Sequence, residues 1–457
     1  MLVAFALSLG AGPLTIGLLA AIPFAVQAAQ LPTIFLVERL RQRKKISVTA
    51  PTTARIIIFF LAFLPFAPQG VRLPLLVVSQ LLIGLLGAVV ACAVNSWFHQ
   101  LLPVASLGKF FGRRLLAASL MACASTLVAG FLVDHPPFQV SNYAFAMAFA
   151  GAGIAGMIST LFLARTPEPV MHSGARKIPL RKMLDEPLRD PNFRSLLFVL
   201  GSWNLASNLV APFITVYLLQ QLGYSLSTVT ALWVTSQLAN AAALFLWGEL
   251  SDRLSNKAIL AVALPAYFVG TLGLVFADLG HSARFELFLL YLLHVVMGFA
   301  SGGIGLATGN LGLKLAPQHR GTSYLAVIGL VAAVAGGIAP IAGGAIAQYF
   351  TYSELTVVMR WLSPARTNEV ALLSFAHWEF LFALSAVMGM YVMHALSRVR
   401  EGDEISERVV VQELALEALR TVNHLSSLGG VLGGVFSFAR ISKWRRDSRR
   451  GGPSRQA

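Results

Sequence analysis

Two adjacent apolar blocks hold the side chains best suited to gripping a solute. One carries Trp203, Asn204 and Asn208, the next Trp233, Gln237 and Asn240. Spacings of three and four residues put 204 with 208, 233 with 237 and 237 with 240 on single helical faces. An amide offers both donors and acceptors, and an indole offers an apolar face with one N–H. Such a lining suits a neutral or amphipathic organic solute; hydrogen-bonded glue between packed helices is the competing reading. His294 is the one ionisable residue well inside an apolar block. It can relay protons, bind solute or serve as a structural histidine bonded to a neighbouring helix. Gln80, in another apolar block, joins the candidate binding set, and Asn95 is a weaker member. Trp97 is expected at the membrane interface, and Glu286 and Glu379 at helix ends where water reaches them. There is no central acid pair, Ser-His-Asp set or HExxH motif, so an enzyme is not expected, nor a cofactor or metal. Cys92 and Cys123 lie in apolar blocks and suggest neither disulfide nor metal ligation.

The elements that must position these groups follow from composition. The chain has 457 residues, 56% hydrophobic and 12% charged, and a mean hydropathy of +0.71. A soluble domain carries about 25% charged residues. The apolar residues come in blocks long enough to cross a ~30 Å hydrocarbon core as helices. After an apolar fragment at 1–9, spans are predicted near 15–36, 54–68, 74–98, 114–133 and 142–164. A proline-rich polar stretch at 166–193 reads as a linker. Six more spans are predicted near 195–220, 227–250, 258–278, 285–311, 323–349 and 377–396, making about eleven complete spans.

Lysine and arginine divide 31 to 4 between alternate loops. By the positive-inside rule the linker and tail are therefore expected in the cytoplasm. The net charge of +15 is mostly this bias, and a nucleic-acid partner is not expected.

A repeat is visible. Leu9-Gly10 matches Leu222-Gly223 at a spacing of 213, and Glu38-Arg39 matches Asp252-Arg253 at 214. Pro103 and Gly108 match Pro317 and Gly321 at 214 and 213. The two halves are thus parallel repeats. The same offset places Met1 inside a first helix, so about twenty further upstream residues are expected.

Six plus six helices around a central loop resemble the major facilitator superfamily. Gly248-Glu249-Leu250-Ser251-Asp252-Arg253-Leu254-Ser255-Asn256-Lys257 is similar to its loop motif G-x-L-x-D-R-x-G-R-K, and a degenerate copy carries Glu38 and Arg39. The resemblance implies that Asp252 and Arg253 form a cytoplasmic latch favouring the state open to the outside. Gly248, at the start of the motif, would let two backbones approach closely, and Lys257 ends it. The family's drug–proton antiporters carry R-x-x-Q-G-x-G in helix four. Here the Arg position is Gln80, followed by Gly84 and Gly87, so proton antiport through that Arg is poorly supported. Gly336, Gly337, Pro340, Gly343 and Gly344 resemble the antiporters' G-P-x-x-G-G element, displaced into the second repeat, and suit packing or a hinge.

The expected class is therefore an all-α polytopic membrane protein of two six-helix bundles. Its divisions are a first bundle at 1–165, a linker at 166–193, a second bundle at 194–400 and a tail at 401–457. The tail reads as an amphipathic helix followed by aromatic and basic residues suited to anionic lipid. The expected function is alternating-access transport, with export of a metabolite or drug-like compound by a monomer in the cell (inner) membrane. The alternative is a sensor or scaffold that signals through the tail.

Overall fold

The structure, a computed structural model, describes residues 1–29, 42–101, 107–137, 140–168, 180–253, 255–278, 282–317, 321–362 and 367–401. Glu38, Arg39, Pro103 and the tail from 402 lie outside the described residues, and Asn95, Asp252 and Arg253 are described in backbone only.

The first half comprises α1 (Leu2–Ser8), α2 (Pro13–Ala25, continued by a 3-10 turn), α3 (Arg43–Phe60), α4 (Gln69–Leu101), α5 (Leu107–Asp134) and α6 (Ser141–Ala164). A short helix, α7 (Leu180–Arg189), stands between the halves, within the stretch expected to be linker throughout. The second half comprises α8 (Pro191–Val216), α9 (Leu226–Arg253), α10 (Asn256–Gly273), α11 (Ala283–Leu315), α12 (Gly321–Tyr349) and α13 (Glu379–Ser397). Among the described residues, ten helices are long and apolar enough to cross a membrane; α2 is a shorter apolar helix. The end of the helices at which the sequence puts the lysine- and arginine-rich loops is here called the basic side, and the opposite end the far side.

Local chemistry sets the helix ends. Asp190 caps α8 by accepting the amides of Asn192 and Phe193, with Pro191 in the first turn where its missing N–H costs nothing. Ser255 caps α10 by accepting the amide of Ala258 at 3.1 Å. The repeat shows in the backbone. The far-side turns after α1 and α8 pass through Gly10 and Gly223, with φ of 83° and 68°. A side chain would strain both positions, which explains the paired glycines.

One element was not anticipated. Between α12 and α13 lies an antiparallel hairpin, β1 (Glu354–Leu362) and β2 (Thr367–Ala376), with a bulge at Val357/Val358. Its alternation is weak because every β1 residue is exposed, so no buried face imposes a period of two.

The halves meet along α2 and α12, where small residues bring backbones together. A Cβ at Gly17 would collide with the Pro340 carbonyl, and one at Gly344 would sit 2.6 Å from that of Pro13. Gly336 lies against the Phe24 ring. One buried cluster joins α1, α2, α8 and α13 through Phe5, Ile16, Phe213 and Phe382; a second packs Phe193, Trp247, Leu264 and Leu311 within the second half. On the other flank α5 meets α9 at their far ends, where a Cβ at Gly130 would strike Thr230. Toward the basic side every residue from 112 to 122 on α5 is exposed, on all faces of the helix.

Candidate solute-binding cavity

A cavity of about 430 Å³ opens between α1, α5, α8, α9, α10 and α11. That volume falls within the range of small-molecule sites. The two helices that carry its main groups are held tightly together. A Cβ at Gly298 on α11 would collide with the Ser236 carbonyl on α9, and one at Gly302 would lie 3.0 Å from that of Asn240. This contact brings Trp233 and His294 to the same cavity, together with Tyr267 from α10 and Thr126 from α5.

His294 is buried, and its Nδ1 donates to the Leu290 carbonyl at 2.8 Å, since a carbonyl can only accept. The neutral ring then leaves Nε2 as an acceptor for a solute donor. Trp233 is 42% exposed and presents its ring. The Thr230 and Ser301 hydroxyls donate to Ser227 and Met297 carbonyls in their own helix and keep lone pairs free to accept. Thr126, Thr215 and Ser236 add further hydroxyls. None of the lining side chains carries a formal charge at neutral pH. A second cleft of about 450 Å³, between α2, α4 and α12, is walled by apolar residues alone and has no group to orient a solute.

Trp233 and His294 line the cavity as members of the sequence-predicted set. Asn204 and Asn208 do not. Their side-chain amides donate to Leu200 and Asn204 carbonyls of the same helix at 2.8 and 2.9 Å. They lie on the α8 stripe that runs through Ala211 and Thr215, nearer the basic side. Gln237 and Asn240 likewise continue the Trp233 stripe of α9 toward that side, with Gln237 exposed. Trp203 packs edge-on against Tyr267 at 4.7 Å and so supports a lining residue from behind. Gln80 is half-buried on α4, away from the cavity lining. Sequence reasoning passed over Thr126, Thr215, Thr230, Ser236 and Ser301, because lone hydroxyls in apolar helices usually bond their own backbone and give no pattern.

Three expectations fail on geometry. Trp97 is fully buried and donates to the Pro167 carbonyl at 3.0 Å, so it ties α4 to the end of α6 instead of facing an interface. Glu379 is only 2% exposed, accepting Gln221 Nε2 at 3.1 Å and the Ala376 amide at 2.7 Å. Gly248 has nothing within 4 Å of a built Cβ among the described residues, so none of their backbones makes the close approach expected there. Glu286, by contrast, is half-exposed and accepts the Tyr224 hydroxyl. Burial and that carboxylate push Tyr224 up to about 12.

Beside the loop motif, the carboxylate that faces a helix N-terminus is Glu401, just beyond α13. Its side chain, 2% exposed, accepts Asn256 Nδ2 at 2.8 Å, the Lys257 amide at 2.6 Å and Lys314 Nζ at 3.2 Å. Asn256 in turn accepts the Ser251 hydroxyl, and Ser251 accepts Asn310 Nδ2. Burial alone would raise Glu401, but the Lys257 amide, Asn256 and Lys314 outweigh it and hold the carboxyl below its ordinary value. The adjacent Arg400 exchanges two bonds with the Asn192 side chain, at 2.7 and 2.9 Å.

The sequence profile described as Major Facilitator Superfamily matches residues 1–340, and the chain belongs to that family. An MFS-type transporter of Aspergillus terreus is 34% identical over 107 residues, which is 23% of this chain and 18% of that protein. The efflux pump dotC of Dothistroma septosporum is 33% identical over 129 residues, 28% of this chain and 21% of that one. The matched stretch is thus about a fifth of those relatives' length. Among solved structures, a mutant form of the nucleoside transporter NupG superposes with a TM-score of 0.63 at 15% identity, covering 87% of this chain and 93% of its own. A D-xylose-proton symporter gives 0.62 at 14% identity, covering 86% and 89%. These likenesses establish the fold: a multi-pass, all-α membrane protein of two bundles.

Proposed function

We propose that this protein moves a neutral or amphipathic organic solute across a cell membrane by alternating access. The uncharged, hydroxyl-rich cavity carries this reading. It sits where the halves meet, offers His294 Nε2 and several hydroxyls for hydrogen bonds, and presents Trp233 and Tyr267 as ring faces. A charged solute would leave water there with no oppositely charged side chain to meet it, at a cost of several kcal/mol. Export is favoured over uptake by the efflux pump among the relatives. The basic side is taken as cytoplasmic, because the loop charges divide 31 to 4. The pose is then open to the cytoplasm, since α5 and α9 meet at their far ends while α5 is bare toward the basic side. Asn204, Asn208, Gln237 and Asn240 lie on the path between cavity and cytoplasm.

The test is flux into liposomes holding the purified protein, with a radiolabelled nucleoside, a pentose, an uncharged aromatic amide and tetraphenylphosphonium as probes. Flux of one or more neutral probes, lost in Trp233→Ala, is expected. Carriage of the cation alone would overturn the neutral assignment. No flux of any probe through protein that unfolds cooperatively on heating would count against transport itself.

A further inference from the structure

The connection between α12 and α13 is longer than joining two helices of one bundle requires. Such connections commonly take about 2–8 residues, yet Tyr349 and Glu379 are bridged by a full hairpin on the far side. Its strand β1 has 9 residues, a length of about 30 Å or the width of roughly three packed helices.

The hairpin is firmly rooted. Glu379, at the start of α13, accepts the Ala376 amide from the end of β2 and Gln221 Nε2 from the end of α8. The Phe380 ring stacks on Phe350 at 4.4 Å and meets Phe375 at 6.1 Å. These contacts tie the base of the strands to the ends of α8, α12 and α13.

The register decides what each face carries. The irregularity in the ladder is one extra residue on β2, since Val357 pairs with Leu373 and Val358 with Ala371. β1 itself therefore alternates without a break. One face holds Leu355, Val357, Met359 and Trp361, and the other holds Glu354, Thr356, Val358, Arg360 and Leu362. The first face is apolar throughout, and three positions across the ladder from it are Phe375, Leu373 and Val370. The second is mixed, which blurs the pattern in the sequence. Both faces of β1 are exposed, with Trp361 at 70%.

A two-stranded hairpin is at best marginally stable in water, and a continuous apolar face marks a surface that something covers. The cover at hand is the bilayer. The strands start within a few residues of two helices long and apolar enough to span it. Tyr349 and Tyr352, 80% and 99% exposed at the root, are of the residue type that gathers at membrane–water interfaces, as is Trp361. Arg360 and Arg366 are matched by Glu354 and Glu369, so residues 354–376 carry no net charge and call for no anionic headgroup.

We propose that this hairpin is a membrane-docking element: it lies on the far-side leaflet with Leu355, Val357, Met359 and Trp361 set into the lipid interface and Glu354, Thr356 and Arg360 turned to water. The apolar face then loses its contact with water, and the sheet gains the third layer it lacks in the protein. The proposal rests on the membrane fold and not on the transport reading.

The experiment places single nitroxide labels on β1 of the full chain, with Cys92→Ser and Cys123→Ser, in phosphatidylcholine vesicles. Leu355→Cys, Val357→Cys and Met359→Cys sample one face, and Thr356→Cys, Val358→Cys and Arg360→Cys the other. Collision with molecular oxygen, which concentrates in lipid, should dominate at the first three. Collision with a water-soluble nickel chelate should dominate at the second three, giving a period of two along the strand. Adding Val357→Asp and Met359→Asp to the Leu355→Cys chain should abolish its oxygen excess while cooperative thermal unfolding is retained. The same profile is expected with and without phosphatidylglycerol, and docking that needs the anionic lipid would overturn the apolar basis. Equal access of the nickel chelate to all six positions would place the hairpin in water and overturn the proposal. Shielding of 355, 357 and 359 from both reagents would show protein on that face, a second copy of the chain, and would overturn it equally.

Discussion

Replacing Glu401 tests whether one carboxylate beyond the last helix holds the basic end of the second bundle together. In Glu401→Ala three donors lose their acceptor: Asn256 Nδ2, the Lys257 amide and Lys314 Nζ. Lys314 is 57% exposed, so its share is small, on the scale of ~0–1 kcal/mol for a surface pair. The two bonds at the start of α10 are charge-assisted and nearly dry, and each is worth ~1.5–3 kcal/mol before water replaces the carboxylate. With water able to re-enter at this edge, a net loss of about 2 kcal/mol is expected. On the scaling for domains of that size it lowers Tm by roughly 4–8 °C. Glu401→Gln keeps the shape and loses the charge, so about half that shift is expected. The carboxyl is held below its ordinary value when folded. Its stabilisation is therefore complete above the unfolded pKa and lost as pH falls through the lower, folded one. The Tm gap between unmodified protein and Glu401→Gln should be constant from about pH 7 to 5.5 and close below about pH 4. Thermal unfolding in detergent, followed by tryptophan fluorescence across that range, reads both. A Tm for Glu401→Ala within about 1 °C of the unmodified protein, or a gap that widens on acidification, refutes the reasoning.

Other substitutions separate glycines that matter from those that do not. Gly17→Val forces a side chain into the Pro340 carbonyl and should cost about 1–3 kcal/mol by overpacking, seen as lower folded yield and Tm. Gly223→Ala places a Cβ at φ of 68° and should cost about 1 kcal/mol, whereas Gly248→Ala meets nothing and should be neutral or slightly stabilising in the same melt. Within the cavity, His294→Phe removes the Nε2 acceptor while filling similar space. It should raise KM for a hydrogen-bonding probe at least tenfold with little change in Tm, measured by flux and melting together.

The positions of the helices were legible because hydrocarbon imposes a length and a polarity on each span. Gly10 and Gly223 were legible as a pair because both turns require a positive φ. What escaped were contacts made at long range. Nothing near Glu401 in the chain indicates that Lys257, 144 residues earlier, offers its amide to it. Asp134 likewise reads as an ordinary loop acid, yet its Oδ1 accepts the Leu226 amide of α9 from the other half. Asn204 and Asn208 have the right chemistry and spacing for a binding face, yet their amides are satisfied within α8, an option no spacing rule removes. Trp97 looked like an interface residue because indoles favour interfaces, but the Pro167 carbonyl offered its N–H a partner inside the fold. The hairpin at 354–376 stayed hidden because β1 is exposed along its whole length, so no buried face imposes alternation on it.

The exchange of bonds between Asn192 and Arg400 joins the entrance and the exit of the second bundle. A six-helix unit with its two ends stitched together is a closed loop in all but covalent bond. The chain leaving at Glu401 starts out beside the strand of sequence that arrives from the first bundle at Asp190. A force applied to the tail is therefore delivered to the first turns of α8 and α10 together, and not to one outlying helix. A domain fused after Glu401 would hang beneath this stitched end of the second bundle, and cutting the chain before Pro191 while linking 401 back to it would leave the helix order of this bundle intact.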